Sequence, residues 1–218
     1  MSRIDVLVPT DNCAAALAAT LTGRCAQTTG FDVSVSDQPE DHAANEVGEV
    51  QAVCRVLQAR GHPVTFHRYL PRRGIAEQRQ FLQEQATAPY VLYLDDDILL
   101  EPWVVQLLEG TLHTEGCGFV GLSFAGDVRP HEQAIAFWEG PVQPETVRPN
   151  TPPWERWQLH NAANLWHIQQ AQSIIPEAPR GYTVAWAVGC ILFDRAELLD
   201  VGALAFGNTC RRATLAKM

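Results

Sequence analysis

The chain has 218 residues, which suits one domain or one domain with a substantial insertion. Hydrophobic residues make up 46% and charged residues 19%, so the chain can build a packed core and is not a disordered one. Net charge is -9, Lys217 is the only lysine, and the arginines are scattered; this excludes the clustered basic face of a nucleic-acid-binding protein.

The elements follow in chain order. Ile4 to Val8 is a short apolar run ended by Pro9-Thr10-Asp11-Asn12, a buried strand and then a turn able to cap a helix. Ala14 to Leu21 is Ala/Leu-rich and predicts a helix. Phe31 to Ser36 alternates and is β-branched, so it predicts a second strand, followed by the polar turn Asp37–Asp41. Val47 to Ala59 has helical spacing at Val50, Val53, Cys54 and Leu57, and Gly61 stops it. Pro63 to Tyr69 predicts a third strand. Gly74 to Ala86 predicts a helix with Ile75, Phe81 and Leu82 inward. Pro89 to Leu94 predicts a wholly apolar fourth strand. Pro102 to His113 predicts a helix with Trp103, Leu107 and Leu108 inward, and Phe119 to Phe124 a fifth strand. From Gly126 to Arg180 eight prolines break the pattern and tryptophans are frequent; loops with one or two helices are expected there, Glu155–Ser173 among them. Tyr182 to Phe193 is strand-like again, and Arg195 to Val201 predicts a short helix closed by Gly202.

Strand and helix alternate four times before residue 125. Such alternation implies right-handed βαβ crossovers and a mostly parallel sheet flanked by helices. Ligands of such folds sit beyond the carboxyl ends of the strands. The turns to inspect are therefore Pro9–Asn12, Asp37–Asp41 and Asp95–Asp97. The last is the most informative, because three consecutive carboxylates follow a buried strand. Like charges a few ångströms apart raise each other's pKa unless a cation is present. Hard oxygen donors suit Mg2+ or Mn2+, which take one or two carboxylates together with substrate phosphates.

Other chemistries fit less well. The six cysteines contain no CxxC pair and read as buried or incidental thiols of a reducing compartment. The seven histidines form no HxxxH or HExxH pair. A dinucleotide-binding G-x-G-x-x-G is missing after the first strand, where the chain reads Pro9-Thr10-Asp11-Asn12-Cys13-Ala14. An aspartyl phosphatase needs a lysine near a first-strand aspartate, and Lys217 is the only one. No apolar run approaches the roughly 20 residues that span a bilayer. Met1 leads straight into the first strand, so no signal peptide or transmembrane segment is expected, and the expected location is cytoplasmic.

Five blocks in order resemble a family 2 glycosyltransferase, an enzyme of the GT-A fold that uses a nucleotide-diphospho-sugar donor. Val6-Leu7-Val8-Pro9-Thr10-Asp11-Asn12 resembles the family's opening strand and Pro-Thr-Tyr-Asn turn, with Asp11 in place of tyrosine. Val33 to Asp37 resembles the second strand and its acidic end. Gly74-Ile75-Ala76-Glu77-Gln78-Arg79 is similar to the Gly…Ala-Arg-Asn helix start. Leu94-Asp95-Asp96-Asp97 with Glu101-Pro102 is similar to the DxD motif and its downstream proline. Gly189 to Arg195, then Leu198 to Phe206, resembles the acceptor-side strand, helix and Gly-Gly-Phe turn. The resemblance covers roughly residues 4–125 and 181–206.

It implies a three-layer, Rossmann-like GT-A fold. Residues 1–125 would form the donor-binding half and 126–218 the acceptor side of the same domain. It implies that Pro9, Thr10, Asp11 and Asp37 line the nucleotide site, with Thr10 and Asp37 on the base. It places Arg79 near base and diphosphate, Asp95 or Asp96 on the ribose, and Asp97 with Asp95 on a Mn2+ or Mg2+ ion. It implies an acceptor that is a saccharide, lipid-linked or other hydroxyl. An inverting member needs a carboxylate to deprotonate that hydroxyl, placed by the family shortly after the Gly-Gly-Phe turn. No acid follows Asp200, so the expectation is a truncated or altered carboxyl end, an unidentified base, and weak transfer or donor binding alone.

Overall fold

The computed structural model describes residues 4–122 and 189–200, together with Gly202. The chain divides into two compact units, residues 1–120 with 189–216 and residues 121–188 with 217–218. The elements below lie in the first unit, apart from the last residue of β5.

β1 is Ile4–Thr10, α1 Ala14–Cys25, β2 Phe31–Asp37, α2 Gly48–Ala59, β3 Val64–Arg68 and α3 Ile75–Gln85. β4 is Tyr90–Leu94, α4 Val104–Glu115, β5 Phe119–Gly121, β6 Cys190–Asp194 and α5 Arg195–Asp200. A short 3-10 turn, Ala44–Glu46, precedes α2. The strands form one six-stranded sheet in the order β3-β2-β1-β4-β6-β5. β1 pairs in parallel with both β2 and β4, and β2 with β3, whereas β6 runs antiparallel to β4.

The mixed, mostly parallel sheet follows from the strand sequences. Every residue of β1 is buried, as a central parallel strand covered on both faces must be. Its one acid, Asp5, is satisfied by the chain entering β4: its Oδ2 accepts the amides of Thr87 (2.6 Å) and Ala88 (2.8 Å). Alternate residues face opposite layers. On one side Leu7, Val91 and Tyr93 pack with Leu82 and Ala86 at α3 and Leu198 of α5. On the other, Ile4 is in register with Phe31, and the Phe31 ring carries Arg24 of α1 above it. α2 packs against α1. Gln27, just past α1, ties in α4: its amide donates to the Glu101 carbonyl at 2.7 Å and its Oε1 accepts the Val105 amide at 3.2 Å. It thereby supplies the cap that α4's own N-terminal residue, Trp103, lacks.

Several expectations need correction. α1 runs four residues beyond Leu21, to Cys25, and has no side-chain cap. Ile75 and Trp103, expected inward, are 54% and 49% exposed. Each sits at the very start of its helix, outside the buried stripe that begins at Gln78 in α3 and Val104 in α4. α4 starts at Val104 and continues to Glu115, where Gly116 at φ +59° ends it in the left-handed conformation. Among the described residues the free thiols are Cys13, Cys25, Cys54, Cys117 and Cys190, of which only Cys190 is buried and Cys13 is exposed. The expectations for residues 123–188 and 203–218, including the tryptophan-rich segment and the tail, lie outside the described residues.

The Tyr93 hydroxyl donates to Gln83 Oε1 at 2.9 Å inside the core, and burial pushes this phenol far above its ordinary range. Gln83 Nε2 has no partner among the described residues. Tyr93→Phe leaves the Gln83 carbonyl oxygen unpaired as well. It is expected to lower stability by about 1 kcal/mol, read as a shifted urea midpoint at unchanged slope.

Candidate functional site

The carboxyl ends of β1, β2 and β4 lie side by side, so the residues ending them share one rim. Thr10 and Asp37 are register partners at the ends of β1 and β2, and both side chains are buried. Asp37 Oδ2 accepts the Ala44 amide at 2.6 Å. Burial pushes the Asp37 carboxyl up; that amide opposes the shift, the nearby Asp11 charge adds to it and Arg68 offsets it. Across β1, the Thr10 hydroxyl donates to Asp96 Oδ2 at 2.5 Å, linking the first strand to the acidic turn after β4.

That turn is fixed at three points. The Asp95 amide donates to the Gly189 carbonyl at 2.8 Å, and Arg79 of α3 pairs with the Asp95 carboxylate. The Asp96 carbonyl accepts the Thr20 hydroxyl of α1 at 2.7 Å. Burial pushes the Asp96 carboxyl up; the Thr10 hydroxyl pulls it back, and the Asp97 and Asp95 charges push it further. Asp97 is exposed and has no hydrogen-bond or ion-pair partner among the described residues. The thiol of the largely exposed Cys13 is pushed up by partial desolvation first and then by the Asp96, Asp11 and Asp97 charges.

Side chains of the three loops that follow β1, β2 and β3 are linked to one another. Asp11 Oδ2 accepts from Arg72 at 2.5 Å, and Arg72 also pairs with Glu40. Asn12 closes the ring: its Nδ2 donates to Asp11 Oδ1 at 3.0 Å and its Oδ1 accepts the Glu40 amide at 2.9 Å. Asn12 adopts φ +55°, a conformation that asparagine tolerates better than most residues. The Gln38 amide donates to the Thr10 carbonyl at 3.3 Å, and Gln38 Oε1 accepts the Arg73 amide at 3.0 Å.

Of the residues expected at a nucleotide site, the fold brings Thr10, Asp37, Asp95, Asp96 and Arg79 to one linked rim. Asp11 lies at its outer edge, paired with Arg72. Pro9 is buried inside β1, in register with Ser36, one residue back from the rim. Sequence reasoning missed Arg72, whose role depends on loops far apart in the chain. It also missed Gln78, which is buried on α3. One signal pointed to Gln78: it lies four residues before Leu82, on the stripe that packs inward.

The donor set suits a hard divalent cation. Asp97 offers free carboxylate oxygens beside Asp95 and Asp96, and the Asp97 and Asp95 charges add to the upward push on the Asp96 carboxyl. Among the described residues, no three His, Cys, Asp or Glu side chains converge into a complete metal cage. A Mg2+ or Mn2+ ion at such a rim takes one or two carboxylates and fills its shell with phosphate oxygens and water, so no cage is required.

No protein-family model and no curated protein matches the sequence. Solved structures do match the fold. One is the mannosyltransferase PcManGT from Pyrobaculum calidifontis in complex with GDP-Man and Mn2+, with TM-score 0.58 at 19% identity over 93% of this chain and 47% of that one. Another is S. aureus TarS 1-349, with TM-score 0.56 at 14% identity over 92% of this chain and 49% of that one. TarS 1-349 in complex with UDP-GlcNAc matches at TM-score 0.55 and 15% identity, over 92% and 47%. The chain spans about half the length of these proteins. No helix among the described residues is long and apolar enough to cross a membrane. At these identities the likeness is one of architecture: the chain has the three-layer GT-A type of fold, Rossmann-like, with a mostly parallel sheet between helices.

Proposed function

We propose that the chain is a metal-dependent glycosyltransferase of the family 2 type, which moves a sugar from a nucleotide-diphospho-sugar to an acceptor hydroxyl with inversion. The observation that carries this reading is the linked rim. The base-side pair Thr10 and Asp37 is joined through the Thr10–Asp96 hydrogen bond to an acidic turn whose first residue pairs with Arg79. Such a row of groups can match the parts of a nucleoside diphosphate in order: base, ribose, phosphates. A buried carboxylate with one oxygen engaged by Ala44 keeps its other oxygen for a ring N–H of the base. Polar groups at the turn accept the ribose hydroxyls, an arginine faces the phosphates, and Asp97 with Asp95 would hold Mn2+ or Mg2+. The ion supplies neutralisation of the charge that develops on the departing diphosphate.

The chain's own residues orient the donor. Asp37 fixes the base, Thr10 positions Asp96, and Arg79 stands where the diphosphate carries its charge. The sugar's anomeric C–O bond breaks with its electron pair going to the diphosphate. The acceptor oxygen forms the new bond from the opposite face and releases its proton to a base. Structures of the same fold hold GDP-Man with Mn2+ in one protein and UDP-GlcNAc in another, which supports a donor of this class.

The test is a thermal-shift series with UDP, GDP, UDP-GlcNAc and GDP-Man, each with and without Mn2+. At about 100 Kd of ligand, a binder gains roughly 2.7 kcal/mol. A shift with at least one nucleotide that depends on Mn2+ is expected. A flat response to all four removes the reading. Release of nucleoside diphosphate in the presence of acceptors then separates transfer from binding alone.

A further inference from the structure

We infer that Gln78 is a positioning residue for the base-side pair, a role that rests on the donor-site reading. A carbonyl has two lone pairs, so one already in a ladder can accept a second bond from a side chain. Gln78, 3% exposed and in the first turns of α3, makes such bonds to two strands at once. Its Nε2 donates to the Thr10 carbonyl at 2.9 Å and to the Ser36 carbonyl at 2.7 Å. One amide therefore uses both its protons to span the ends of β1 and β2. These are the carbonyls of Thr10 itself and of the residue before Asp37.

The spacing of the Thr10 and Asp37 side chains depends on that span. The Thr10 carbonyl also accepts the Gln38 amide, so Gln78 shares an acceptor with the residue that follows Asp37. The next residue along α3, Arg79, pairs with Asp95 beyond β4. The start of α3 thus holds the ends of three strands, with Gln78 setting the first two. Helical preference does not explain a glutamine here, since an apolar side chain would fill the same buried stripe with Leu82. What an apolar side chain lacks is a donor that bonds both strand ends at once.

Gln78→Met keeps volume and removes the donor; Gln78→Asn keeps the donor and shortens its reach. Tyr93→Phe is the matched control, because it removes a buried hydrogen bond to α3 without touching either strand end. Calorimetric titration of the full chain with UDP and with GDP in Mn2+ is expected to show Kd raised tenfold or more in Gln78→Met and Gln78→Asn, and unchanged in Tyr93→Phe. Amide hydrogen exchange without ligand is expected to speed up at Gln38 and Ala44 in the Gln78 variants only. A Kd that moves no further than in Tyr93→Phe, or undiminished protection at Gln38 and Ala44, overturns the assignment. Should Gln78→Met fail to fold, Gln78→Asn carries both measurements. A wild-type chain that binds neither nucleotide overturns the donor-site reading, and this role with it; the exchange arm still decides whether Gln78 holds the strand ends.

Discussion

Asp97→Asn is expected to abolish the Mn2+-dependent part of nucleoside diphosphate binding, a loss of about a hundredfold or more in affinity, or about 2.7 kcal/mol. The reason lies in how the three acids are occupied. Asp95 is engaged by Arg79, and Asp96 Oδ2 is engaged by Thr10 and half-buried. Asp97 alone is exposed with no polar partner among the described residues, so its oxygens are the ones free for a cation. Asparagine keeps the shape and removes the charge, leaving the fold intact. The sign of the effect without metal is a second check. Removing one negative charge from the rim should then leave diphosphate binding unchanged or slightly tighter. A thermal shift in which Asp97→Asn responds to Mn2+ as the wild type does would contradict the assignment.

Arg24→Met is expected to stabilise the chain by about 2 kcal/mol. The guanidinium is fully buried on the last turn of α1, and none of its three nitrogens has a hydrogen-bond partner among the described residues. Its compensation is the Phe31 ring, 4.2 Å away. A cation over a desolvated ring gains about 2 kcal/mol or somewhat more, less than the several kcal/mol that burying an unpaired charge costs. Burial pushes the Arg24 pKa down to about 10. Between that value and the ordinary arginine value the folded chain binds fewer protons than the unfolded one, so stability rises with pH across that window. At pH 7, below it, the whole penalty is present. Methionine keeps an unbranched stem against Phe31 and carries no charge. Urea unfolding at pH 7 should show a higher midpoint with the slope unchanged. A lower midpoint would mean that the guanidinium contributes more than it costs.

The sequence was most legible in the strands at the centre of the sheet. β1 and β4 stand out because Ile4–Val8 and Tyr90–Leu94 are nearly all apolar, β2 because Phe31, Val33 and Val35 alternate with polar residues, and the three aspartates mark the turn after β4. Helix edges were least legible. Ile75 and Trp103 look inward on a helical wheel but precede the turn at which packing begins. The direction of β6 is set by its pairing with β4, which no local pattern encodes. Arg24 and Gln78 escaped because hydrophobic periodicity counts arginine and glutamine as solvent-facing. Their burial is decided by what lies opposite them, an aromatic ring and a pair of strand-end carbonyls. The ring of Asp11, Asn12, Glu40 and Arg72 joins three loops, so it exists only once the sheet is assembled.

The antiparallel pairing of β6 with β4 has a consequence for biosynthesis. β4, a row of five residues with four fully covered in the finished sheet, has β1 for one neighbour and β6 for the other. Its second neighbour begins only at Cys190, far downstream of Leu94. At a ribosomal pace of about 5–20 residues per second, one flank of the most apolar strand waits on the order of ten seconds for its cover. A bare flank of this kind invites pairing with another nascent chain. Yield in the cell should therefore depend on chaperones that shield strand flanks, and a chain stopped short of Cys190 should accumulate as inclusion bodies.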